Sequence, residues 1–118
     1  MAYVDGYVIP ISKKNLPAYR KIATVAGKVW REMGAIQFFE CAGDDLDGKM
    51  GLPFPKLAKL KPGETVVFSF IIYKSRAQRD AINKKIMKDP RILKLMQNKM
   101  PFDDKRMAFG GFKVLVQA

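Results

Sequence analysis

The stretch Glu64–Tyr73, ETVVFSFIIY, decides the fold of this chain. Its ten residues are rich in β-branched and aromatic types, which predicts a strand. Because side chains alternate along a strand, Val67, Ile71 and Tyr73 share one face. The opposite face is equally apolar, and its members are Val66, Phe68, Phe70 and Ile72. A sheet built around this strand therefore needs cover on both of its faces.

The elements predicted around this strand follow from hydrophobic periodicity and from turn residues. In chain order they are a strand over Tyr3–Ile11, a helix from Leu16 to Met33, a strand over Ala35–Ala42, an irregular loop over Gly43–Gly63, a helix from Ser75 through Lys88, a short helix over Arg91–Asn98 and a last strand over Lys105–Val116. The long loop includes the Asp44–Lys61 segment, to which we assign no role.

Several residues predict where these elements begin and end. Asn15 can cap the first helix, and Gly34 ends it. Ser75 and Gln78 form the S-x-x-Q pattern of a capping box. Gly110-Gly111 interrupts the last strand and indicates either a bulge, which we favour, or a close approach of the backbone to a neighbour.

The order β-α-β-β-α-β is the split βαβ pattern, so we predict an α+β, ferredoxin-like fold with a four-stranded antiparallel sheet. Right-handed crossovers place both helices on one face. The other face would then expose several large apolar side chains, at a cost of about 25 cal/mol per Å². The simplest cover is a second copy packed sheet to sheet, so we predict a homodimer through the sheet faces.

Composition restricts the class of protein. A length of 118 residues predicts a single domain over residues 1–118. The longest apolar run is far shorter than the roughly 20 residues of a membrane helix, and a secretory signal pattern is absent, so we expect a cytoplasmic protein without membrane contact. One cysteine and no histidine argue against a metal site and against histidine-assisted catalysis. We expect no cofactor.

Several short motifs resemble the YbaA-like family of bacterial proteins of unknown function. They are Tyr3–Gly6, Glu40-Cys41, Val66–Ser69, Arg79–Asn83, Asp89–Arg91, Met100–Asp103, Lys105–Met107 and Phe109–Phe112. The resemblance implies a dimeric α+β barrel, an architecture similar to that of small antibiotic-biosynthesis-type monooxygenases and muconolactone-isomerase-like enzymes. It supplies no catalytic residues, and a shared fold does not establish a shared reaction.

The candidate ligand-binding residues are Asp103, Arg106, Glu40, Tyr7 and Cys41. Asp103 and Arg106 could hold a polar ligand, or they could simply form the turn into the last strand. One residue of the Glu40-Cys41 pair points inward, and a buried Glu40 could act as an acid or base. We expect the more ordinary arrangement, a small buried cysteine beside a hydrogen-bonded glutamate.

Asp5 shares a strand face with Tyr3 and Tyr7, which is unusual for a packed face. It could bond a tyrosine hydroxyl at the dimer seam or form part of a pocket. We favour the seam.

Positive charge is concentrated in one helical segment. The formal net charge is +11, and Lys74–Lys99 contains nine basic and two acidic residues, a net charge of +7. Such a surface attracts polyanions in a salt-dependent way. The candidate polyanion-binding residues are Arg76, Arg79, Lys84, Lys85, Lys88 and Lys94. Solvated helix surface is the simpler interpretation, although weak non-specific binding to nucleic acid is expected.

Two hypotheses for the function therefore stand. In the first, the dimer binds or transforms a small organic molecule in a cavity lined by Asp103, Arg106, Glu40 and Tyr7. In the second, the chain is a basic module that binds RNA or another polyanion. The residues leave open whether it is an enzyme.

Overall fold

A four-stranded antiparallel sheet forms the centre of the structure, a computed structural model that describes residues 1–118. In chain order the helices and strands are β1 (Tyr3–Ser12), α1 (Leu16–Glu32), β2 (Gln37–Ala42), α2 (Phe54–Leu57), β3 (Glu64–Tyr73), α3 (Arg76–Ile86), α4 (Pro90–Met96) and β4 (Ala108–Lys113). Short 3-10 turns precede α1, at Lys13–Asn15, and β4, at Asp104–Arg106.

The strand order across the sheet is β2-β3-β1-β4, and every neighbouring pair is antiparallel. Two βαβ units interleaved in this way give the predicted ferredoxin-like α+β fold. The central pair β1 and β3 runs in register from Tyr3 opposite Tyr73 to Ser12 opposite Glu64. None of the helices has the length and apolar character needed to cross a bilayer.

One face of the sheet, which we call the helix face, packs against the helices and contains the core. A first cluster of buried side chains includes Tyr3, Ile71 and Tyr73 from the sheet with Ile82 and Ile86 from α3. A second cluster, at the other end of β1, joins strand residues to Tyr19 and Ala23 of α1. The alternation of β1 and β3 therefore has the phase that the sequence predicts.

The opposite face, which we call the open face, has no long helix over it. Its aromatic side chains are partly exposed, with 43% of Phe68 and 58% of Phe112 accessible to solvent. The rings of Phe39 and Phe70 stack there with centroids 4.9 Å apart. Only α2 reaches this face, where Phe54 contacts Phe68.

Strand β4 is shorter than predicted. It ends at Lys113, whereas the prediction extends to Val116. Lys113 lies opposite Tyr3, the first residue of β1, so the chain beyond Lys113 has no strand beside it. The predicted bulge is wrong as well, since Gly110 and Gly111 pair with Gly6 and Asp5 in unbroken register. The alternative, a close approach, is confirmed: a Cβ at Gly111 would collide with the Tyr3 ring.

The residues predicted to begin and end the helices are confirmed in two cases and wrong in one. Ser75 accepts a hydrogen bond from the Gln78 amide as predicted, while the Gln78 side chain reaches back to the amide of Lys74. Asn15 does not cap α1, because its side-chain amide instead donates to the carbonyl of Pro101, 3.0 Å away. Gly34 ends the first helix with a φ of 114°, which favours glycine.

Candidate functional site

A pocket of about 180 Å³ lies between the helix face of the sheet and helix α1. We call it the helix-side pocket. Its walls come from β1, β2, β3 and α1, and from the segment before β4 through Met100, Phe102 and Met107. All of its lining side chains are apolar or aromatic except Glu40 and Ser69. A largely apolar pocket with a few polar groups is the usual form of a small-molecule site.

A row of polar groups crosses the floor of this pocket. Glu40 of β2 lies opposite Ser69 of β3, which lies opposite Tyr7 of β1. From above, the hydroxyl of Tyr19 on α1 donates a hydrogen bond of 2.7 Å to Glu40 Oε1. Carboxyl and hydroxyl groups from four elements therefore converge on one small space.

Burial sets the protonation of this row. It raises the pKa of Glu40, although the hydrogen bonds from Tyr19 and Ser69 oppose the shift. Burial also raises the pKa values of Tyr7 and Tyr19, and the charge of Glu40 adds to both shifts. The two hydroxyls thus stay protonated as donors, while the carboxyl is closer than usual to exchanging a proton near neutral pH.

The local sequence explains how these groups face inward. Phe38 and Glu40 are two residues apart on β2, so they share the face that packs against α1. Tyr19, Ala23 and Ala26 recur at helical spacing on α1 and point at the sheet. The small alanines leave the space that the pocket occupies.

The predicted residues Asp103 and Arg106 lie elsewhere. Both line a wide groove of about 1020 Å³ outside the helix-side pocket. Asp103 accepts a hydrogen bond from the Lys105 amide, which is the turn interpretation of this motif. Arg106 donates to both oxygens of Glu64, at 2.7 and 2.8 Å. Phe102 borders both spaces, so the groove is adjacent to the pocket but distinct from it.

Cys41 differs from its expectation. We expected a buried cysteine, but Cys41 is exposed, and its neighbour Glu40 is the residue that points inward. The reason is the phase of β2, which places odd-numbered side chains on the open face. Of the five candidate ligand residues, the structure brings Tyr7 and Glu40 together in the helix-side pocket and leaves Cys41, Asp103 and Arg106 outside it.

Asp5 is buried on the helix face rather than on the open face, so its predicted place at a sheet-to-sheet seam is wrong. Only 1% of it is exposed, and Arg79 of α3 reaches Asp5 Oδ1 at 2.8 Å. The guanidinium of Arg79 also lies over the Tyr3 ring. Burial raises the pKa of Asp5, while the charge of Arg79 and a hydrogen bond from Tyr73 oppose this.

The six candidate polyanion-binding residues divide into those that form ion pairs and those that do not. Arg79 is held by Asp5 and Asp80, so it does not belong to the free surface charge. Arg76 is 68% exposed and lies 3.9 Å from Asp80. The remaining four are exposed and make no ion pair, and they are Lys84, Lys85, Lys88 and Lys94.

Sequence reasoning missed two members of the site, Tyr19 and Ser69. Tyr19 recurs at helical spacing with Ala23 and Ala26, a pattern that by itself indicates core. Ser69 is the one polar residue in the middle of an apolar strand, and that interruption is the signal that could have identified it. No three His, Cys, Asp or Glu side chains are grouped so that they could hold a metal ion.

Comparison with known proteins places the chain in a family. Residues 2–104 match the family described as "Protein of unknown function (DUF1428)". The chain is 43% identical over 117 residues to proteins named "Uncharacterized protein YbaA" in Escherichia coli K12 and Shigella flexneri, with 98% of each chain covered.

A solved structure supports the fold. Rv0793 from Mycobacterium tuberculosis superposes on the whole chain, and on 99% of its own, with a TM-score of 0.58 at 15% identity. This likeness concerns the ferredoxin-like, dimeric α+β-barrel type of fold alone. The family match and the YbaA relatives together show that the chain belongs to this YbaA-like family of unknown function.

Proposed function

We propose that this protein binds a small organic molecule in the helix-side pocket and that Glu40 is the polar group at the centre of recognition. One observation carries the proposal. A pocket with otherwise apolar walls contains a partly buried carboxyl group that a tyrosine hydroxyl contacts at 2.7 Å. A purely structural core would be expected to place an apolar residue at this position, because burying a carboxyl is unfavourable.

The size of the pocket limits the part of a ligand that can enter. A cavity of roughly 150 Å³ holds a benzene ring, and the helix-side pocket has about 180 Å³. It therefore suits one ring, or a short chain of similar volume. A hydroxyl or carbonyl on that ring can bond Glu40, Ser69 or Tyr7.

Glu40 also gives the site a route to chemistry. A carboxyl with a raised pKa can take a proton from a bound hydroxyl or from a carbon next to a carbonyl, and can return it. Tyr19 would hold the carboxyl in place during this transfer. Binding is the primary proposal, and proton transfer is its enzymatic extension, in the manner of an isomerase.

The binding test uses p-cresol and indole as neutral ring probes, observed by NMR shifts of the protein amides. The variant Ala26→Leu fills the pocket and is expected to abolish binding. The matched control Ala18→Leu adds the same side chain to an exposed position of α1 and should leave binding unchanged. Equal binding to all three proteins would refute the proposal.

A second variant preserves the pocket volume. Glu40→Gln should weaken p-cresol, whose hydroxyl donates to the carboxylate, more than toluene, which has no hydroxyl. The same loss for both ligands would show that Glu40 has only a packing role.

We further propose that two copies associate through their open faces. Phe39, Phe68 and Phe112 are exposed on this face and form an apolar surface that one chain does not cover. A second copy offers the matching surface through a two-fold axis.

The alternative function, polyanion binding, is supported by the exposed and unpaired lysines of α3, α4 and the turn between them. Filter binding of single-stranded RNA at low and high salt tests it. Binding that falls steeply with salt and is weakened by Lys84→Gln/Lys85→Gln, but not by Lys21→Gln, would support the alternative. No retention at low salt would exclude it.

A further inference from the structure

A larger groove of about 800 Å³ runs along the outside of the helix-side pocket, between α1 and the edge strand β2. We call it the α1–β2 groove. Its helix wall is formed by residues that recur every three or four positions from Leu16 to Arg31. Its strand wall is β2, which pairs only with β3, so the outer backbone edge of β2 faces the groove.

The groove and the helix-side pocket share part of their walls. Four residues line both spaces, and they are Tyr19, Ala23, Phe38 and Glu40. The Tyr19–Glu40 hydrogen bond joins α1 to β2 along this shared wall. The groove and the pocket therefore meet at these two side chains, and one molecule can contact both spaces beside them.

Gly27 allows Phe38, one of the four shared residues, to pack closely against α1. A Cβ at this position would lie 2.8 Å from the Phe38 ring, closer than real Cβ contacts allow. Glycine thus lets the Phe38 ring lie directly against the helix backbone.

The rim of the groove is positively charged. Arg20, Lys28 and Arg31 line it, and none of them forms an ion pair with a carboxylate of the chain. Arg31 is held at the rim by the carbonyl oxygens of Ala35 and Ile36. The only acidic residue in the groove is Glu40, at its inner wall. Charge complementarity therefore favours an anionic group at the rim.

We propose that the α1–β2 groove and the helix-side pocket together bind one amphipathic carboxylate, with its ring in the pocket and its carboxylate beside Arg20 and Lys28. This inference rests on the proposed function and names its ligand class. Glu40 fixes the orientation, because a carboxylate at the inner end would lie against another acid. The same ligand without a charge would lose the contacts at the rim.

The test compares 4-phenylbutyrate with its neutral amide, 4-phenylbutanamide, by calorimetric titration of the whole protein. The carboxylate should bind about threefold to tenfold tighter at low salt, the range expected of exposed charge contacts. High salt should reduce this advantage, because exposed charges are screened. Equal affinity of the acid and the amide would overturn the inference.

Variants locate the charge effect. Arg20→Gln/Lys28→Gln should remove the advantage of the carboxylate and leave the amide unaffected. Lys21→Gln removes a charge from the same helix outside the groove and should change neither affinity. If Lys21→Gln acts as strongly as the double variant, the effect comes from net charge and the inference fails.

The neutral probes separate this inference from the proposed function. If p-cresol binds but 4-phenylbutyrate binds no more tightly than its amide, the proposed ring-binding pocket stands. The inference that the ligand is a carboxylate is then refuted. Failure of every probe would refute both. An extended peptide that shifts the β2 amides and excludes 4-phenylbutyrate would identify strand addition instead, and would also overturn the inference.

Discussion

The two faces of the sheet differ in the polarity of the side chains that stand out on each. The helix face, which is covered, contains Asp5 at 1% and Ser69 at 3% exposure. The open face, which only α2 reaches, has Phe68 and Phe112 at 43% and 58% exposure. Beside its apolar core, the helix face thus buries two polar side chains, whereas the open face exposes two large aromatic ones. This contrast is what we expect of a site beneath the helices and a contact surface on the other side.

The largest expected effect concerns the buried ion pair of the helix face. Arg79→Leu leaves Asp5 buried without its partner and should lower the free energy of unfolding by about 3 kcal/mol. Arg76→Leu, at a 68% exposed position of the same helix, should cost about 0.5 kcal/mol or less. Urea denaturation measures both, and equal losses would show that the pair is not special.

The open face is tested by association. Phe68→Glu places a charge in the middle of the apolar surface and should weaken self-association by about 100-fold. Leu93→Glu changes a residue of α4 that is 44% exposed and should not affect it. Sedimentation velocity over a concentration series distinguishes the outcomes. If the unmodified protein is a monomer, the open face is not a contact surface between copies.

Two adjacent glycines allow the faces to be compared within one strand. Gly111 faces the helices, and a Cβ there would collide with Tyr3, so Gly111→Ala should destabilise the fold by about 1–3 kcal/mol. Gly110 faces the open side, where a Cβ would lie 3.6 Å from the Phe112 ring. Gly110→Ala should change stability by about 0.5 kcal/mol or less. The reverse order, measured by thermal unfolding, would contradict the assigned strand phase.

The smallest effect is the acid dependence of the Glu64–Arg106 pair at the start of the central strand β3. Hydrogen bonds from Arg106 lower the pKa of Glu64 from 4.5 to about 2. Because the folded-state pKa is depressed, the pair stabilises the protein above pH 4.5, and this contribution is lost as the pH falls toward 2. Arg106→Gln should therefore have a lower free energy of unfolding than the unmodified protein at neutral pH. In acid the two free energies of unfolding should become equal. Lys105→Gln, which removes an unpaired charge next to it, should show no such convergence.

The sequence was sufficient for the fold because local patterns and global pairing agree. The bounds of β3 match the prediction, and the alternation of β1 and β3 places Val67 and Ile71 on the helix face. The end of β4 could not be read from Val114–Val116, whose residues suit a strand. Its end depends on where β1 begins, which is a tertiary fact.

The candidate site was predicted only in part. The sequence does not determine the phase of β2, so the expectation of a buried Cys41 is wrong and Glu40 points inward instead. Asp103 and Arg106 were expected in the same cavity as Glu40, but they line a separate groove. Arg106 in fact pairs with Glu64, 42 positions away, and no local pattern indicates such a partner. The Tyr19–Glu40 contact likewise depends on how α1 is rotated over the sheet.

The central place of β1 also governs how the chain can assemble during synthesis. The strand made first pairs only with β3 and β4, so residues 3–12 remain without a partner until residues 64–73 have left the ribosome. The pairing of β2 with β3 waits for the same residues but closes a shorter stretch of chain, so its loop costs less conformational entropy. The ion pair between positions 5 and 79, 74 residues apart, can close only after that. Because β4 follows the other three strands in the chain, the sheet is completed last at its β4 edge.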